Sequence, residues 1–253
     1  MKVSNSLIQT FKKCPRMYEL KYVFRFTPIH VSDAIETGLN YHDAVEKLVG
    51  SDCNIPITTD PKISAMVSAF EKYLLPRIRE RDNYTPEKWF EYKTAGGNVI
   101  VGRYDGLGES SILEHKTTGG TIDGNYWRNV LDDEQLLTYM LASGKNHALY
   151  TVCQKPRIRQ TMKETGVEFE ERCKSWYEAE TEQKIACIGV FHPDERIEQH
   201  ERDIDAMCET IQNCTNFYRN RAFCRYYGRE CEYAPICNKC DPNEEYIGFT
   251  KGG

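Results

Sequence analysis

Apolar residues recur at spacings of three and four from Leu7 through Ile8, Phe11, Cys14 and Tyr18, behind Ser4 or Ser6 as an N-cap, which predicts an opening helix. Pro15 has no amide proton and its ring crowds the preceding turn, so the helix should divide there, with Cys14 closing its first part. A second helix is expected from Asp33 to Val49, with Ala44, Val45 and Leu48 on one side. A third is expected from Pro61 to Arg81, where Ile63, Met66, Val67, Phe70, Tyr73 and Leu74 keep helical spacing before charges take over.

At Trp89 the period shortens. Trp89–Lys93, Val99–Leu107 and Ser111–Thr117 read as three successive strands of a meander, separated by the turn signals Ala95-Gly96-Gly97-Asn98 and Gly108-Glu109-Ser110. Helical spacing returns over Asp132–Ser143. His147–Thr151 is a short β-prone run, Glu164–Glu180 a charged helix, Ile185–Phe191 a strand and Ile197–Arg219 a long helix. This order predicts an α/β fold whose sheet has an antiparallel edge and is flanked by helices. A chain of 253 residues can bury one substantial core, and we read 1–253 as one elaborated domain. Its parts would be a helical region 1–85, a sheet-bearing core 86–221 and a cysteine-rich segment 222–240.

Composition narrows the function classes. No apolar run approaches the roughly 20 residues of a membrane-spanning helix, so a soluble protein without a membrane partner is expected. The N-terminus lacks a secretory pattern, which points to the cytoplasm. In a reducing compartment the 11 cysteines, an odd number, are better explained as thiols and metal or cluster ligands than as disulfides. The net charge of −5 disfavours a nucleic-acid partner only on average. Basic residues cluster at Lys12, Lys13, Arg16, Lys21 and Arg25 and again at Arg219, Arg221, Arg225 and Arg229, although solvated faces would look the same.

The candidate chemistry lies in the run from Gly102 to Lys116. A tight turn over residues 108 to 111 sets Asp105 opposite Glu114, with Cβ atoms about 5 Å apart. Strand alternation then puts Glu114 and Lys116 on one face and His115 on the other. Paired carboxylates repel and need a cation or a shared proton, and hard oxygen ligands favour Mg²⁺ or Mn²⁺. A lysine beside such a cation can orient water or stabilise developing negative charge, which is the equipment for phosphodiester hydrolysis.

Taken with its flanking segments, this arrangement resembles the PD-(D/E)XK nuclease superfamily and its RecB-like branch, which carries an iron-sulfur cluster. The likeness rests on the Ser6 to Cys14-Pro15-Arg16-Met17-Tyr18 opening, on Gly38-Leu39-Asn40-Tyr41-His42, on Asp105 with Glu114-His115-Lys116, and on Gln135-Leu136-Leu137-Thr138-Tyr139. It implies a restriction-endonuclease-like core with a mixed central sheet. It further implies catalytic roles for Asp105, Glu114, Lys116, Gln135 and Tyr139, and metal ligation by His42, Asp105, Glu114 and the backbone carbonyl of His115. DNA contacts would come from Arg103, Gln135 and Tyr139. The implied activity is that of a Mg²⁺- or Mn²⁺-dependent exonuclease on single-stranded DNA or duplex ends, working alone or with a separate helicase, recombination or adaptation protein.

The tail from Cys224 to Cys237 concentrates thiols that bind a soft metal or cluster readily. Cys231-Glu232-Tyr233-Ala234-Pro235-Ile236-Cys237 resembles the C-terminal signature of the same branch. The resemblance implies a 4Fe-4S cluster on Cys14, Cys224, Cys231 and Cys237, with Cys240 as a rival ligand. A structural Zn²⁺ would use the same thiolates. Cys53, Cys153, Cys173, Cys187, Cys208 and Cys214 are scattered and read as ordinary thiols. Two other classes stay open: a nucleic-acid-binding protein that keeps the fold without cleaving, and a cluster- or zinc-containing regulator.

Overall fold

Ser4 caps the helix Asn5–Lys13 by accepting from the Leu7 amide at 3.3 Å, and Ile8 and Phe11 are buried along its inner side. Cys14 ends it, and Pro15 starts the short helix Pro15–Tyr18, so the proline divides the segment as its chemistry requires. This computed structural model describes residues 1–30, 32–50, 60–226 and 229–252; Cys53 lies outside the described residues, as does the side chain of Arg229. The chain divides into two compact units, one of residues 1–32, 91–102 and 201–253 and the other of residues 33–90 and 103–200.

The second unit is built on a five-stranded mixed sheet in the order Thr85–Pro86, Gly106–Leu107, Ile112–Thr118, His147–Gln154, Ile185–Phe191. The central pair, Ile112–Thr118 with His147–Gln154, is parallel, and the other pairs are antiparallel. The parallel step needs a crossover, which the helices Gly124–Val130 and Glu134–Ser143 supply. One sheet face, through Leu113, Leu149 and Cys153, joins a core with Tyr41, Val45, Met66, Phe70 and Tyr177 from the helices Asp33–Val49, Pro61–Tyr73 and Gly166–Ala179. The helix Glu134–Ser143, with Leu136 and Met140 buried, lies against the strands Ile112–Thr118 and His147–Gln154. The architecture is therefore the α/β fold with a mixed sheet expected for a restriction-endonuclease-like core.

The first unit joins the chain ends. Lys2–Val3 pairs in parallel with Val99–Arg103, which is flanked in turn by Trp89–Lys93. Asp205 braces the turn between those two strands by accepting from Thr94, Asn98 and the Gly96 amide at 2.5, 2.7 and 2.8 Å. Phe26–Pro28 pairs antiparallel with Phe249–Lys251, over a small core of Leu20, Phe26, Tyr233 and Ile236.

Three expectations need correction. The meander is not one sheet, because the arm read as Val99–Leu107 breaks at Tyr104–Asp105 and its halves join different sheets. The helix read as Pro61–Arg81 stops at Tyr73 and restarts at Leu75, since Pro76 cannot donate to the preceding turn. The helix expected to reach Arg219 spans Asp194–Gln212. Beyond it the backbone has other partners: the Tyr218 carbonyl accepts from the Arg16 amide at 3.1 Å, and the Asn220 amide donates to Cys14 Sγ at 3.4 Å. The helix Gly124–Val130, capped by Asp123, lies in a stretch for which no element was expected.

Candidate active site

The turn of residues 108 to 111 fixes the register of the strands it joins. Gly108 N–H donates to the Ser111 carbonyl at 3.0 Å, and Gly106 pairs with Leu113 and Leu107 with Ile112. Asp105 is next in that register, opposite Glu114, but the ladder ends before it. Its carboxylate instead accepts the His115 amide at 2.8 Å, satisfying a backbone donor that the broken strand leaves open. On its other flank the Asp105 carbonyl accepts from the Glu87 amide at 3.3 Å, where Glu87 adopts a left-handed backbone with φ of 54°. The break thus places Asp105 beside the part of the strand Ile112–Thr118 that this ladder leaves unpaired.

Glu114 is completely buried. One of its oxygens pairs with Lys116 Nζ, and among the described residues Oε2 has no hydrogen-bond partner. Burial, reinforced by the charge of Asp105, pushes the Glu114 carboxyl up to about 8 against the pull of Lys116. Burial works against the charge on Lys116, but Glu114 and Asp105 outweigh it and hold the ammonium above its ordinary range. Lys116 Nζ also donates to Gln135 Oε1 at 2.8 Å, and Gln135 Nε2 donates to the Tyr139 hydroxyl at 2.7 Å. Gln135 and Tyr139 share a helix face because they are four residues apart, and that face meets the Glu114–Lys116 side of the sheet.

His42, on the helix Asp33–Val49, brings Nδ1 within 3.7 Å of Asp105 Oδ2. Burial lowers its pKa, with Asp105 opposing, so the ring favours the neutral form that can ligate a metal. The His115 ring points to the opposite face from Glu114, against Phe70 at 5.3 Å, with Nδ1 2.6 Å from the Thr151 hydroxyl. Burial drops its pKa to about 4. Arg103 pairs with Glu87 and lies over the Trp89 ring, its Cζ 5.5 Å from the centroid.

In the first unit Cys14, Cys224, Cys231 and Cys237 line one cavity of about 390 Å³, together with Met17, Leu20 and Tyr233. Cys240 is not among its lining residues. The Cys231 amide donates to the Cys224 carbonyl at 2.9 Å, and Arg16 Nε donates to the Cys237 carbonyl at 3.2 Å, tying the tail to the opening helices. Burial raises the Cys237 thiol pKa, with Arg16 opposing and Cys14 adding to the rise. Among the described residues no three His, Cys, Asp or Glu side chains converge closely enough to hold a single metal ion. The described helices include none long and apolar enough to cross a membrane.

A sequence model described as the PD-(D/E)XK nuclease superfamily matches residues 2–238. The chain belongs to the PD-(D/E)XK nuclease superfamily. Among solved structures this nuclease is similar to SSO0001, with a TM-score of 0.50 at 16% identity, covering 94% of this chain and 86% of that one. It also aligns with a phage-related exonuclease from Haemophilus somnus 129PT (TM-score 0.42, 11% identity, 83% and 93% covered). An alkaline exonuclease from Laribacter hongkongensis aligns at a TM-score of 0.36 and 13% identity, with 83% and 88% covered. At 16% identity the likeness to SSO0001 speaks to fold alone. No curated protein matches the chain.

Sequence reasoning missed several residues of the nuclease site. Asp133 caps the helix that carries Gln135 and Tyr139, accepting the Gln135 amide at 2.8 Å, and its charge is felt at both Glu114 and Lys116. An aspartate just before a helix is a readable cap, but the expected start at Asp132 hid it. Asp82 accepts the amides of Glu109, Ser110 and Ser111 at 3.1, 2.9 and 3.0 Å and both serine hydroxyls, so it clamps the turn that sets the register of Asp105 against Glu114. A Cβ on Gly108 would collide with that carboxylate. Nothing in the sequence pairs Asp82 with a turn so far along the chain.

Proposed function

We propose that this nuclease hydrolyses phosphodiester bonds of DNA, as a Mg²⁺- or Mn²⁺-dependent exonuclease on single strands or duplex ends. The observation that carries the reading is the buried Glu114 with one unpartnered oxygen, beside Asp105 and an anchored Lys116, where the strand edge is open. A buried carboxylate oxygen without a partner is costly, and a hard cation is the partner that oxygen chemistry prefers. Asp105, Glu114, His42 and the His115 carbonyl would hold it. When bound, the cation supplies Lewis-acid polarisation of a phosphoryl oxygen and a lowered pKa for water. Asp105 and Glu114 are the carboxylates that would attract it, and its positive charge would offset the burial and the Asp105 charge that raise the Glu114 carboxyl. Lys116, held by Gln135, keeps an ammonium beside the reacting phosphate and stabilises the charge that grows there. Arg103, Gln135 and Tyr139 offer donors to the DNA backbone.

For the cysteine cavity, the reading is a 4Fe-4S cluster on Cys14, Cys224, Cys231 and Cys237 that ties the opening helices to the tail. What supports the reading is that these four thiols line one cavity, since four cysteine ligands are the usual complement of such a cluster. Its role is structural. The decisive test incubates the protein with end-labelled single- and double-stranded DNA of each polarity, with Mg²⁺, Mn²⁺ or EDTA. Metal-dependent loss of label from one end is expected; no cleavage of any substrate with either metal rejects the reading. Anaerobically purified protein should be brown, with iron and sulfide near four per chain. Colourless, zinc-loaded protein rejects the cluster.

A further inference from the structure

Trp89 is unusual among the aromatic residues of this chain: it is 72% exposed, although indole is the costliest side chain to leave in water. Its exposure follows from strand alternation. Phe90 turns inward, with its ring 4.6 Å from Tyr104 and 5.8 Å from Tyr139, so Trp89 must turn outward. The Arg103 guanidinium covers one face of the indole, its Cζ 5.5 Å from the ring centroid, and Glu87 pairs with that guanidinium from the side. One carboxylate cannot engage all five N–H donors of an arginine, and the Arg103 side chain is 49% exposed. The result is a flat aromatic surface, rigidly backed by a cation that still has donors to offer.

This surface is joined to the catalytic centre. Arg103 is two residues before Asp105, at the end of the strand that breaks there, and it is felt electrostatically at His42 and Glu46. Glu87, which steadies the guanidinium, donates its own amide to the Asp105 carbonyl at 3.3 Å. A strand whose scissile phosphate sits at Asp105 and Glu114 would therefore run its neighbouring phosphate past Arg103 and carry the adjacent base to Trp89.

We propose that Trp89 is a base-stacking platform for an unpaired nucleotide next to the scissile phosphate, and that Arg103 backs it and reads the phosphate between. A paired base has its faces stacked on its own neighbours, so the platform selects single-stranded or frayed DNA. The inference rests on the nuclease reading above and names the part of the site that would set its strand preference.

The test measures binding of a labelled single-stranded oligonucleotide, with Ca²⁺ in place of a cleavage-supporting metal, to wild type, Trp89→Ala and Trp89→Phe. Oligonucleotides carrying one abasic site, moved position by position, are compared with the intact strand. On the wild type one abasic position should weaken binding roughly 10-fold, the scale of a lost base–aromatic stack. Trp89→Ala should bind the intact strand roughly 10-fold more weakly and lose sensitivity to that abasic position. Trp89→Phe should keep most of both effects. Because Trp89 is exposed, melting temperatures should be unchanged, which separates a lost contact from a lost fold. If wild type cleaves DNA but Trp89→Ala binds as tightly as wild type, or keeps the full abasic penalty, the platform is wrong and the nuclease reading stands. If wild type neither binds nor cleaves DNA, both fall.

Discussion

The candidate active site and the cysteine cavity are built in opposite ways. Asp105, Glu114 and Lys116 lie within twelve residues of one another, either side of one hairpin turn, and hydrogen bonds already fix them in place. The four cavity thiols come from residue 14 and from residues 224 to 237, and they line one cavity. A site made by a hairpin inherits its precision from local register, so its residues can be tuned for chemistry. A site made by the two ends of a chain holds those ends together, so its first consequence is for stability. The same kind of substitution should therefore do different things in the two regions.

The largest effect should be at the hairpin. Lys116→Ala, which removes the ammonium from the Glu114–Gln135 pair, should lower the rate of Mn²⁺-dependent DNA degradation by about 10²- to 10³-fold. Far-ultraviolet circular dichroism should show the fold retained; a variant that still degrades labelled DNA at the wild-type rate would place the chemistry elsewhere. The thiols should respond in stability. Cys231→Ser is expected to cost on the order of 4 kcal/mol, a fall in melting temperature of about 10 °C, together with loss of bound iron. Iron-free protein that melts at the wild-type temperature would break the comparison at that end.

Asp82 tests whether register is what makes the hairpin precise. Replacing it by alanine strips the turn of its charged acceptor and should cost about 2–4 kcal/mol by chemical denaturation, with a loss of activity although Asp82 is no part of the proposed catalytic set. Burial works to raise the Asp82 carboxyl, but the hydrogen bonds from Ser110 and Glu109 prevail and hold it well below the ordinary range. A pKa depressed in the folded state gives stability that is present above the unfolded value, about 3.9, and is lost as pH falls below it toward the folded value. The wild type should therefore lose stability more steeply than Asp82→Ala below about pH 4. Parallel stability curves in that window would refute the clamp. The smallest effect should come from Tyr139→Phe, which deletes one hydroxyl that accepts from Gln135 and should slow cleavage less than about 10-fold. A loss as large as that of Lys116→Ala would make Tyr139 a direct participant.

Much of this fold was legible because the signals are local. The helix Asp33–Val49 and the strands Trp89–Lys93 and Ile185–Phe191 fall at the boundaries that periodicity predicts. Pro15 divides the opening helix as its missing amide proton demands. What failed is what depends on distant partners. The strand through Tyr104 and Asp105 breaks where the chain passes from one sheet to the other, and alternation alone cannot see that. The long helix ends at Gln212 because later backbone groups bond with Cys14 and Arg16, some two hundred residues earlier.

The sequence by itself determined which residues could do chemistry and, through a four-residue turn, that Asp105 would stand opposite Glu114. Side-chain alternation is a property of the extended backbone, so it needs no partner to be read. Tertiary structure alone decided the rest. It buried Glu114 and left one of its oxygens unpartnered, it seated Gln135 on Lys116, and it gave Asp82 the turn to hold. It also set Cys14 and the three tail thiols around one cavity and left Trp89 exposed against Arg103. Burial and long-range contact arise only when separate elements pack, and those are the conditions that turn a carboxylate, a lysine or a thiol into part of a site.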